Sequence, residues 1–203
     1  MTPFLDEDVV QRVNDLGPTT WSGTTYRFTS RGRDPRSGAG ARLNGGRWNP
    51  RGAFAAVYLA QPLHACLAEF VRQCDITGLP AAARISQGVE FHTVIATGLS
   101  VLDLRMTASL DQVGLSVDDI ADDDWTACQA VGQAACFLGH DGLIAPSATG
   151  QGLVIAVFES RLAHGQLTVD DSHELTQDEL PDVLTGAVST PHGPRTREEA
   201  TGN

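Results

Sequence analysis

A strand that runs directly into a helix is the strongest constraint in this chain. The apolar run from Ala53 to Ala60 leads through Pro62 into an apolar stripe that continues to Cys74. A short uninterrupted apolar run is typical of a buried strand, and proline is tolerated at the first position of a helix. The segment therefore predicts a buried strand with a helix packed on it. Two polar residues stand out within it, Tyr58 near the end of the strand and Glu69 on the helix.

The other patterns mix helices and strands without a regular βαβ alternation. Helical periodicity marks residues 5–16 and 125–138, whereas compact or alternating apolar runs mark 21–30, 89–96, 101–104, 143–145 and 153–158. With 203 residues, of which 41% are hydrophobic, the chain can build one core. We expect an α+β fold with a single domain, in which a mixed or antiparallel sheet core is flanked by helices.

The charge is distributed unevenly along the chain. A formal net charge of -11 argues against a general nucleic-acid binder, because a polyanion would be repelled. All 14 basic residues are arginines, and seven of them lie between residues 27 and 51, where Asp34 is the only acid. Guanidinium groups bind phosphate in bidentate geometry, so this cluster suits a small phosphate-bearing anion. Arg31, Arg33 and Arg36 can equally be solvated loop charges.

Several other classes of protein are disfavoured. The cysteines lie in apolar helical stretches without metal-ligand spacing, so we expect reduced thiols; they are Cys66, Cys74, Cys128 and Cys136. The acidic run 118–124 lacks the spacing of a calcium loop, which predicts a solvated turn and no metal site. No signal peptide or membrane-spanning run is visible, so we expect a cytoplasmic protein without membrane contact. No phosphate-binding glycine loop is present either, so side chains would have to bind any nucleotide.

A set of short motifs in a fixed order carries a family resemblance. The motifs are Tyr26-Arg27, Gly45-Gly46-Arg47-Trp48-Asn49-Pro50, Val57-Tyr58-Leu59, Ala68-Glu69, Asp123-Asp124-Trp125 and Cys128 to Gly132. Together they resemble the RES domain, which is named for Arg, Glu and Ser signature positions and forms the toxin half of Xre/RES toxin-antitoxin pairs. The resemblance covers residues 4–172 and leaves 173–203 as an acidic, flexible C-terminal tail. A short helix around Glu174 to Glu179 that docks on the domain is the alternative for this tail.

The resemblance implies a fold related to the ADP-ribosyltransferase toxins and an enzyme that degrades NAD⁺ and releases nicotinamide. In phosphorylase members, inorganic phosphate accepts the ADP-ribosyl group and ADP-ribose 1″-phosphate is formed. NAD⁺ is then a substrate and phosphate a co-substrate, and no cofactor is implied. NAD⁺ glycohydrolases and protein ADP-ribosyltransferases of the family use the same site, and a catalytically silent antitoxin-binding module is a further alternative. The implied partner is an Xre-like antitoxin that closes the active site, in a complex that can be oligomeric, without direct nucleic-acid contact by this chain.

The resemblance also assigns roles to individual residues. Glu69 would stabilise the cationic ribose as nicotinamide leaves, and its alternative is a helix-surface charge. Arg27 and Arg47 would bind the NAD⁺ pyrophosphate or the incoming phosphate; the alternative is an ion pair with an acid such as Asp103 or Asp124.

Two assignments stay open at the level of the sequence. Tyr58 could stack on the nicotinamide ring, although a tyrosine that ends a buried strand is commonly part of the core. The signature serine is represented either by Thr126, at a predicted helix start, or by Ser147, in the turn Pro146 to Gly150. Both residues carry a hydroxyl that can bind phosphate. The predicted catalytic set is thus Glu69, Arg47 and Tyr58, and the predicted binding set is Arg27, Arg47, Tyr58, Thr126 and Ser147.

Overall fold

A computed structural model describes residues 5–185 and confirms the predicted α+β fold, with a mixed sheet and flanking helices. In chain order the elements are α1 (Glu7–Leu16), β1 (Pro18–Ser30), α2 (Ala39–Asn44), β2 (Ala56–Gln61), α3 (Leu63–Thr77), α4 (Ala81–Ser86), β3 (Val89–Asp103), α5 (Thr107–Val113), α6 (Val117–Ala121), α7 (Thr126–Phe137), β4 (Gly142–Pro146), β5 (Leu153–Phe158), β6 (Leu167–Glu174) and α8 (Leu180–Thr185). Single 3₁₀ turns lie at Glu159–Arg161 and Gln177–Glu179. Within the described range, no helix combines the length and the apolarity needed to cross a membrane.

The sheet closes on itself. Its strands follow the order β1-β2-β5-β4-β3-β6, and β1 pairs with β3 as well as with β2, so that five strands form a ring and β6 extends it at β3. The pairing of β3 with β4 is parallel, from Val101 opposite Gly142 to Asp103 opposite Ile144, and the other pairings are antiparallel. The predicted strands at 89–96 and 101–104 are one strand, because β1 pairs along both halves of β3.

The contact between β1 and β2 is short. Tyr26 opposite Ala60 is their single registered pair, whereas β1 pairs with β3 along almost its full length. β1 and β2 therefore separate beyond this pair. The separation places Arg27 of β1 and Tyr58 of β2 on strand segments that are not hydrogen-bonded to each other.

The apolar core follows the alternation of side chains on β2. Val57 and Leu59 belong to a cluster built almost entirely from strand residues, which fills the inside of the ring. Tyr58 faces the opposite side and packs in the cluster of α1, α5 and α7. Ala60 joins a third cluster, in which α3 and α4 cover β1 and β3. The strand-and-helix unit predicted from the sequence thus lies where all three clusters meet.

The structure differs from the sequence interpretation around the predicted domain boundary at residue 172. This position falls inside β6, whose pairing with β3 continues to Glu174. The next residue, Leu175, is buried in the cluster of α3, and the side-chain amide of Gln177 donates to the carbonyl of Ala82 at 2.6 Å. Residues 173–177 of the predicted tail thus contact the domain, with Leu175 as an apolar anchor, but as the end of β6 and the segment after it rather than as the short helix of the alternative. Residues 186–203 lie outside the described residues.

The acidic run 118–124 is also more ordered than a solvated turn. Its first half belongs to α6, which begins with a capping box formed by Ser116 and Asp119. The Ser116 hydroxyl and backbone N–H both donate to the Asp119 carboxylate, which stabilises the first turn. Most of the acidic side chains are nevertheless exposed.

A buried histidine connects three strands. His92 of β3 is 3% exposed; its Nε2 lies 2.9 Å from the Thr29 hydroxyl on β1 and its Nδ1 lies 2.7 Å from the Ser172 hydroxyl on β6. Burial lowers the pKa of His92, and the nearby charge of Arg27 lowers it further, although Glu90 acts in the opposite direction. The folded protein therefore favours the neutral imidazole.

We expect His92 to make the fold sensitive to acid. Below about pH 6.5 the unfolded chain protonates this residue while the folded chain resists protonation, so the free energy of unfolding falls as the pH falls. His92→Gln removes the titration but keeps an amide that can bond to both hydroxyls. Urea denaturation between about pH 7 and pH 5 is expected to show a smaller loss of stability in the variant than in the wild type. His140, whose pKa burial also lowers, is common to both proteins. An equal loss in both proteins would show that His92 does not contribute.

Candidate active site

Glu69 and Ser147 form a close pair between α3 and the end of β4. The Ser147 hydroxyl donates to Oε1 of Glu69 at 2.6 Å, and Ser147 is only 4% exposed. Across residues 5–185, no other group hydrogen-bonds to the Glu69 carboxylate. Glu69 is therefore more than a helix-surface charge: one of its oxygens is held in place, and the other keeps its capacity to accept a hydrogen bond from a ligand.

The turn after β4 brings Ser147 to α3. The backbone N–H of Ser147 donates to the carbonyl of Gly152 at 3.0 Å, and that of Gly150 donates to the carbonyl of Ser147 at 3.0 Å. Gly152 has a φ of 71°, and a Cβ at this position would lie 2.4 Å from the carbonyl oxygen of Gln61. Glycine thus allows the turn to press against the junction of β2 and α3. This close approach sets Ser147 opposite Glu69.

A second group of residues is built around the Tyr58 hydroxyl. This hydroxyl accepts a hydrogen bond from the backbone N–H of Trp48 at 2.8 Å and donates to Oδ1 of Asn49 at 2.8 Å. Asn49 is fully buried and donates from Nδ2 to the carbonyl of Ala41 at 2.9 Å. A Cβ on Gly46 would lie 2.5 Å from the Tyr58 oxygen, so the turn at 46–49 can approach this closely only with glycine there. Tyr58 thereby fixes the turn that presents Arg47.

These contacts define what Tyr58 can offer to a substrate. Burial raises the pKa of Tyr58, so the hydroxyl stays protonated and continues to donate to Asn49. The hydroxyl already has one donor and one acceptor partner, and the ring packs in the cluster of α1, α5 and α7, as expected for a tyrosine that belongs to the core. Contact between the Tyr58 ring and nicotinamide stays a prediction.

Arg47 is a buried cation that binds backbone carbonyls. It is 9% exposed, and its Nη1 donates to the carbonyls of Asp122 at 2.7 Å and Asp119 at 3.4 Å. Its guanidinium carbon lies 5.6 Å from the ring centroid of Trp125, within range of a cation-π contact. Its Nη2 is buried and has no hydrogen-bond partner within residues 5–185. An anion that reached Nη2 would satisfy this group.

Arg27 has a similar environment. Its two terminal nitrogens donate to the carbonyls of Pro35 at 2.8 Å and Ser37 at 3.0 Å, which fastens the loop after β1. Burial lowers the pKa of Arg27 to about 10, so the side chain remains cationic at neutral pH. Burial raises the pKa of the Cys66 thiol, the charge of Glu69 raises it further, and the charge of Arg27 lowers it.

The structural alternative for the two arginines, an ion pair with Asp103 or Asp124, does not occur. Asp103 pairs with Arg105 at 2.6 Å, and Asp124 accepts a hydrogen bond from the Thr126 hydroxyl at 2.6 Å. In the described part of the chain neither Arg27 nor Arg47 forms a salt bridge. Carbonyls satisfy N–H donors but do not cancel a net charge. Arg47 is buried and Arg27 half-buried, and neither has a carboxylate within salt-bridge distance, although Asp34 and Glu159 act on Arg27 electrostatically. The charge of Arg47 in particular is left without a carboxylate partner, which favours an anion.

The two candidates for the signature serine lie in different environments. Thr126 is exposed at the start of α7, where its hydroxyl and its backbone N–H both donate to Asp124, at 2.6 and 2.9 Å. Ser147 is the hydroxyl that contacts Glu69. The geometry thus brings Ser147, and not Thr126, to the carboxylate; a phosphate-binding role for either residue stays a prediction.

Two supporting residues were not singled out from the sequence. Asn49 anchors the Tyr58 hydroxyl, and Thr149 contacts the Ser147 hydroxyl at 2.8 Å. Both residues belong to segments that the sequence analysis identified, since Asn49 lies in the turn at 46–49 and Thr149 in the turn after β4. Both contacts depend on side-chain rotamers and on the path of a turn, so the motif alone could not reveal them.

An open surface cavity of about 470 Å³ has a lining that includes Arg42, Leu43 and Arg51. Leu43 is 66% exposed. None of the site residues predicted from the sequence lines this cavity.

The chain is similar in sequence and in structure to known proteins. Residues 24–178 match the model of the RES domain. NAD(+) phosphorylase MbcT of Mycobacterium bovis and its counterpart of the same name in Mycobacterium tuberculosis are each 44% identical to this chain over 176 residues, which cover 87% of this chain and 95% of each relative. A solved structure, the crystal structure of the M. tuberculosis MbcT-MbcA toxin-antitoxin complex, matches with a TM-score of 0.83 and 42% identity, over 90% of this chain and 100% of that chain.

Proposed function

Because the chain belongs to the RES domain family, we propose that it is the toxin of a toxin-antitoxin pair and degrades NAD⁺ by phosphorolysis. The relatives named NAD(+) phosphorylase MbcT match along nearly their whole length, which supports the same activity here. The observation on this chain that carries the proposal is the buried Arg47 and the half-buried Arg27, neither with a carboxylate within salt-bridge distance, together with the Glu69 and Ser147 pair. Such a site suits a substrate that has both a pyrophosphate and a ribose.

The proposed reaction breaks the bond between the nicotinamide nitrogen and C1 of the attached ribose. The bonding electrons leave with the pyridinium nitrogen, so nicotinamide departs as a neutral molecule and needs no proton from the enzyme. The ribose carbon develops positive charge, and an oxygen of inorganic phosphate forms the new bond to it. The products are nicotinamide and ADP-ribose 1″-phosphate. Stabilisation of the cationic ribose and alignment of the phosphate are the tasks left to the protein.

Each residue has a defined part in this proposal. Glu69 accepts a hydrogen bond from a ribose hydroxyl and stabilises the developing charge, while Ser147 holds the carboxylate. Arg27 and Arg47 bind the pyrophosphate or the incoming phosphate. Nη1 of Arg47 already donates to the carbonyls of Asp119 and Asp122, and Nη2 is buried, so a ligand would contact Nη2 only after the side chains that cover it move. The ring of Tyr58 lies against nicotinamide.

A protein antitoxin is the proposed partner. One solved structure that resembles this chain is the MbcT-MbcA toxin-antitoxin complex of M. tuberculosis, which supports an interaction of the same kind. We propose that an Xre-like antitoxin covers the site and prevents NAD⁺ from entering.

The proposed reaction is tested by product analysis. The purified chain is incubated with NAD⁺ in the presence and in the absence of inorganic phosphate, and the products are resolved by ³¹P NMR and mass spectrometry. We expect NAD⁺ loss to depend on phosphate and to yield ADP-ribose 1″-phosphate. Free ADP-ribose without phosphate dependence would instead identify a glycohydrolase, and unchanged NAD⁺ would indicate a binding module.

A further inference from the structure

The hydroxyl of Ser147 sits in a fully defined hydrogen-bonding environment. It donates its single proton to Oε1 of Glu69 at 2.6 Å and accepts the backbone N–H of Thr149 at 3.1 Å. A third contact, at 2.8 Å, joins it to the side-chain hydroxyl of Thr149. A carboxylate only accepts hydrogen bonds, so the Ser147 proton is committed to Glu69. The Thr149 hydroxyl must therefore be the donor in the third contact.

The Thr149 hydroxyl is itself oriented by the chain. Its oxygen accepts the backbone N–H of Gln151 at 3.3 Å, which leaves its proton free to point at Ser147. The result is a directed series of hydrogen bonds from Gln151 through Thr149 and Ser147 to Glu69. Both acceptor positions of the Ser147 oxygen are then filled from within the turn. Rotation of the Ser147 proton away from the carboxylate would break a hydrogen bond without forming another within the turn.

We propose that Thr149 is a positioning residue for the NAD⁺-cleaving site. Its hydroxyl fixes the rotamer and the proton of Ser147, and Ser147 in turn fixes the Glu69 carboxylate beside the ribose. Thr149 itself does not touch the substrate. This inference rests on the proposed function for its catalytic consequence, whereas its structural part concerns the apo protein alone.

The first test uses activity. Thr149→Val keeps the branched shape but removes the hydroxyl, and we expect kcat for NAD⁺ cleavage to fall about tenfold, the rate equivalent of one net hydrogen bond. The KM for NAD⁺ should change by less than about twofold, because the contacts that bind the substrate remain. Thr149→Ser restores the hydroxyl and should restore kcat. Thr77→Val, at the exposed end of α3, is the matched control and should leave kcat unchanged.

A double-mutant cycle distinguishes positioning from a general structural effect. If Thr149 acts only through Ser147, then Thr149→Val should cause no further loss of kcat in a Ser147→Ala background. An equal fold-loss in both backgrounds would overturn the proposal. So would full activity of Thr149→Val, or a Thr149→Ser variant as slow as Thr149→Val.

The second test uses a crystal structure of Thr149→Val and does not depend on turnover. We expect the Ser147 hydroxyl to leave the Glu69 oxygen or to occupy more than one rotamer. An unchanged distance of 2.6 Å in a single rotamer would overturn the proposal. If the wild-type protein leaves NAD⁺ intact, the proposed function fails, and the crystal structure still decides whether Thr149 positions Ser147.

Discussion

Replacement of Glu69 by glutamine is expected to reduce kcat for NAD⁺ cleavage by about 10²- to 10³-fold, the size of effect seen when one preorganised electrostatic group is removed. Glutamine keeps the length of the side chain and an oxygen that can accept from Ser147, so the fold and the Ser147 contact should persist. What is lost is the negative charge that stabilises the cationic ribose. Nicotinamide release by the purified variant measures the effect.

The matched control for this substitution is Asp75→Asn, which removes a carboxylate from an exposed position on the same helix. It should leave nicotinamide release within about twofold of the wild type, as expected for a solvated surface charge. If both variants were equally active, Glu69 would have no catalytic part. Equal inactivity would instead point to a general effect of charge on α3.

The largest expected effect on stability comes from Gly132→Ala. Gly132 lies on α7, and a Cβ there would be 2.0 Å from the backbone carbonyl oxygen of Trp48. The obstructing atom belongs to the backbone of the turn at 46–49. Because Trp48 is 1% exposed, neither this turn nor α7 can move aside easily. We expect a loss of about 2 to 3 kcal/mol in the free energy of unfolding.

Gly40→Ala provides the comparison for Gly132→Ala. Gly40 lies on α2, and no atom stands within 4 Å of the place that its Cβ would occupy. Alanine is the better helix former, so this variant should gain about 0.5 to 1 kcal/mol. Urea denaturation measures both variants. Similar values for the two glycines would contradict the close packing of α7 on the turn at 46–49.

Much of the architecture could be predicted because its determinants are local. The apolar run of β2, the proline before α3 and the periodicity of α7 each identify an element within a few residues of its true ends. The closure of the sheet through β1 and β3 was not predictable in this way, since it depends on pairing between Pro18–Ser30 and Val89–Asp103. β6 was missed because it is largely polar, and its place in the sheet depends on pairing with β3.

In the candidate site, too, local features could be predicted from the sequence and long-range contacts could not. The motifs single out Glu69, Tyr58 and both arginines as candidate site residues, which stays a prediction, but they could not show whether Thr126 or Ser147 contacts Glu69. That choice depends on the turn after β4, whose approach to α3 is allowed by Gly152. The sequence also suggested carboxylate partners for the arginines, whereas backbone carbonyls occupy these positions. Contacts to backbone carbonyls cannot be predicted from the residue type, because every residue has a carbonyl. The relation to the ADP-ribosyltransferase toxins stays a prediction.

The central claim is that NAD⁺ binds with its nicotinamide riboside at Glu69. A crystal structure of the Glu69→Gln variant with NAD⁺ tests it most directly, because slow turnover preserves the substrate. We expect the ribose beside position 69 and Ser147, the pyrophosphate at Arg27 and Arg47, and nicotinamide against the ring of Tyr58. NAD⁺ bound instead in the surface cavity of Arg42, Leu43 and Arg51, with the neighbourhood of position 69 empty, would contradict the account.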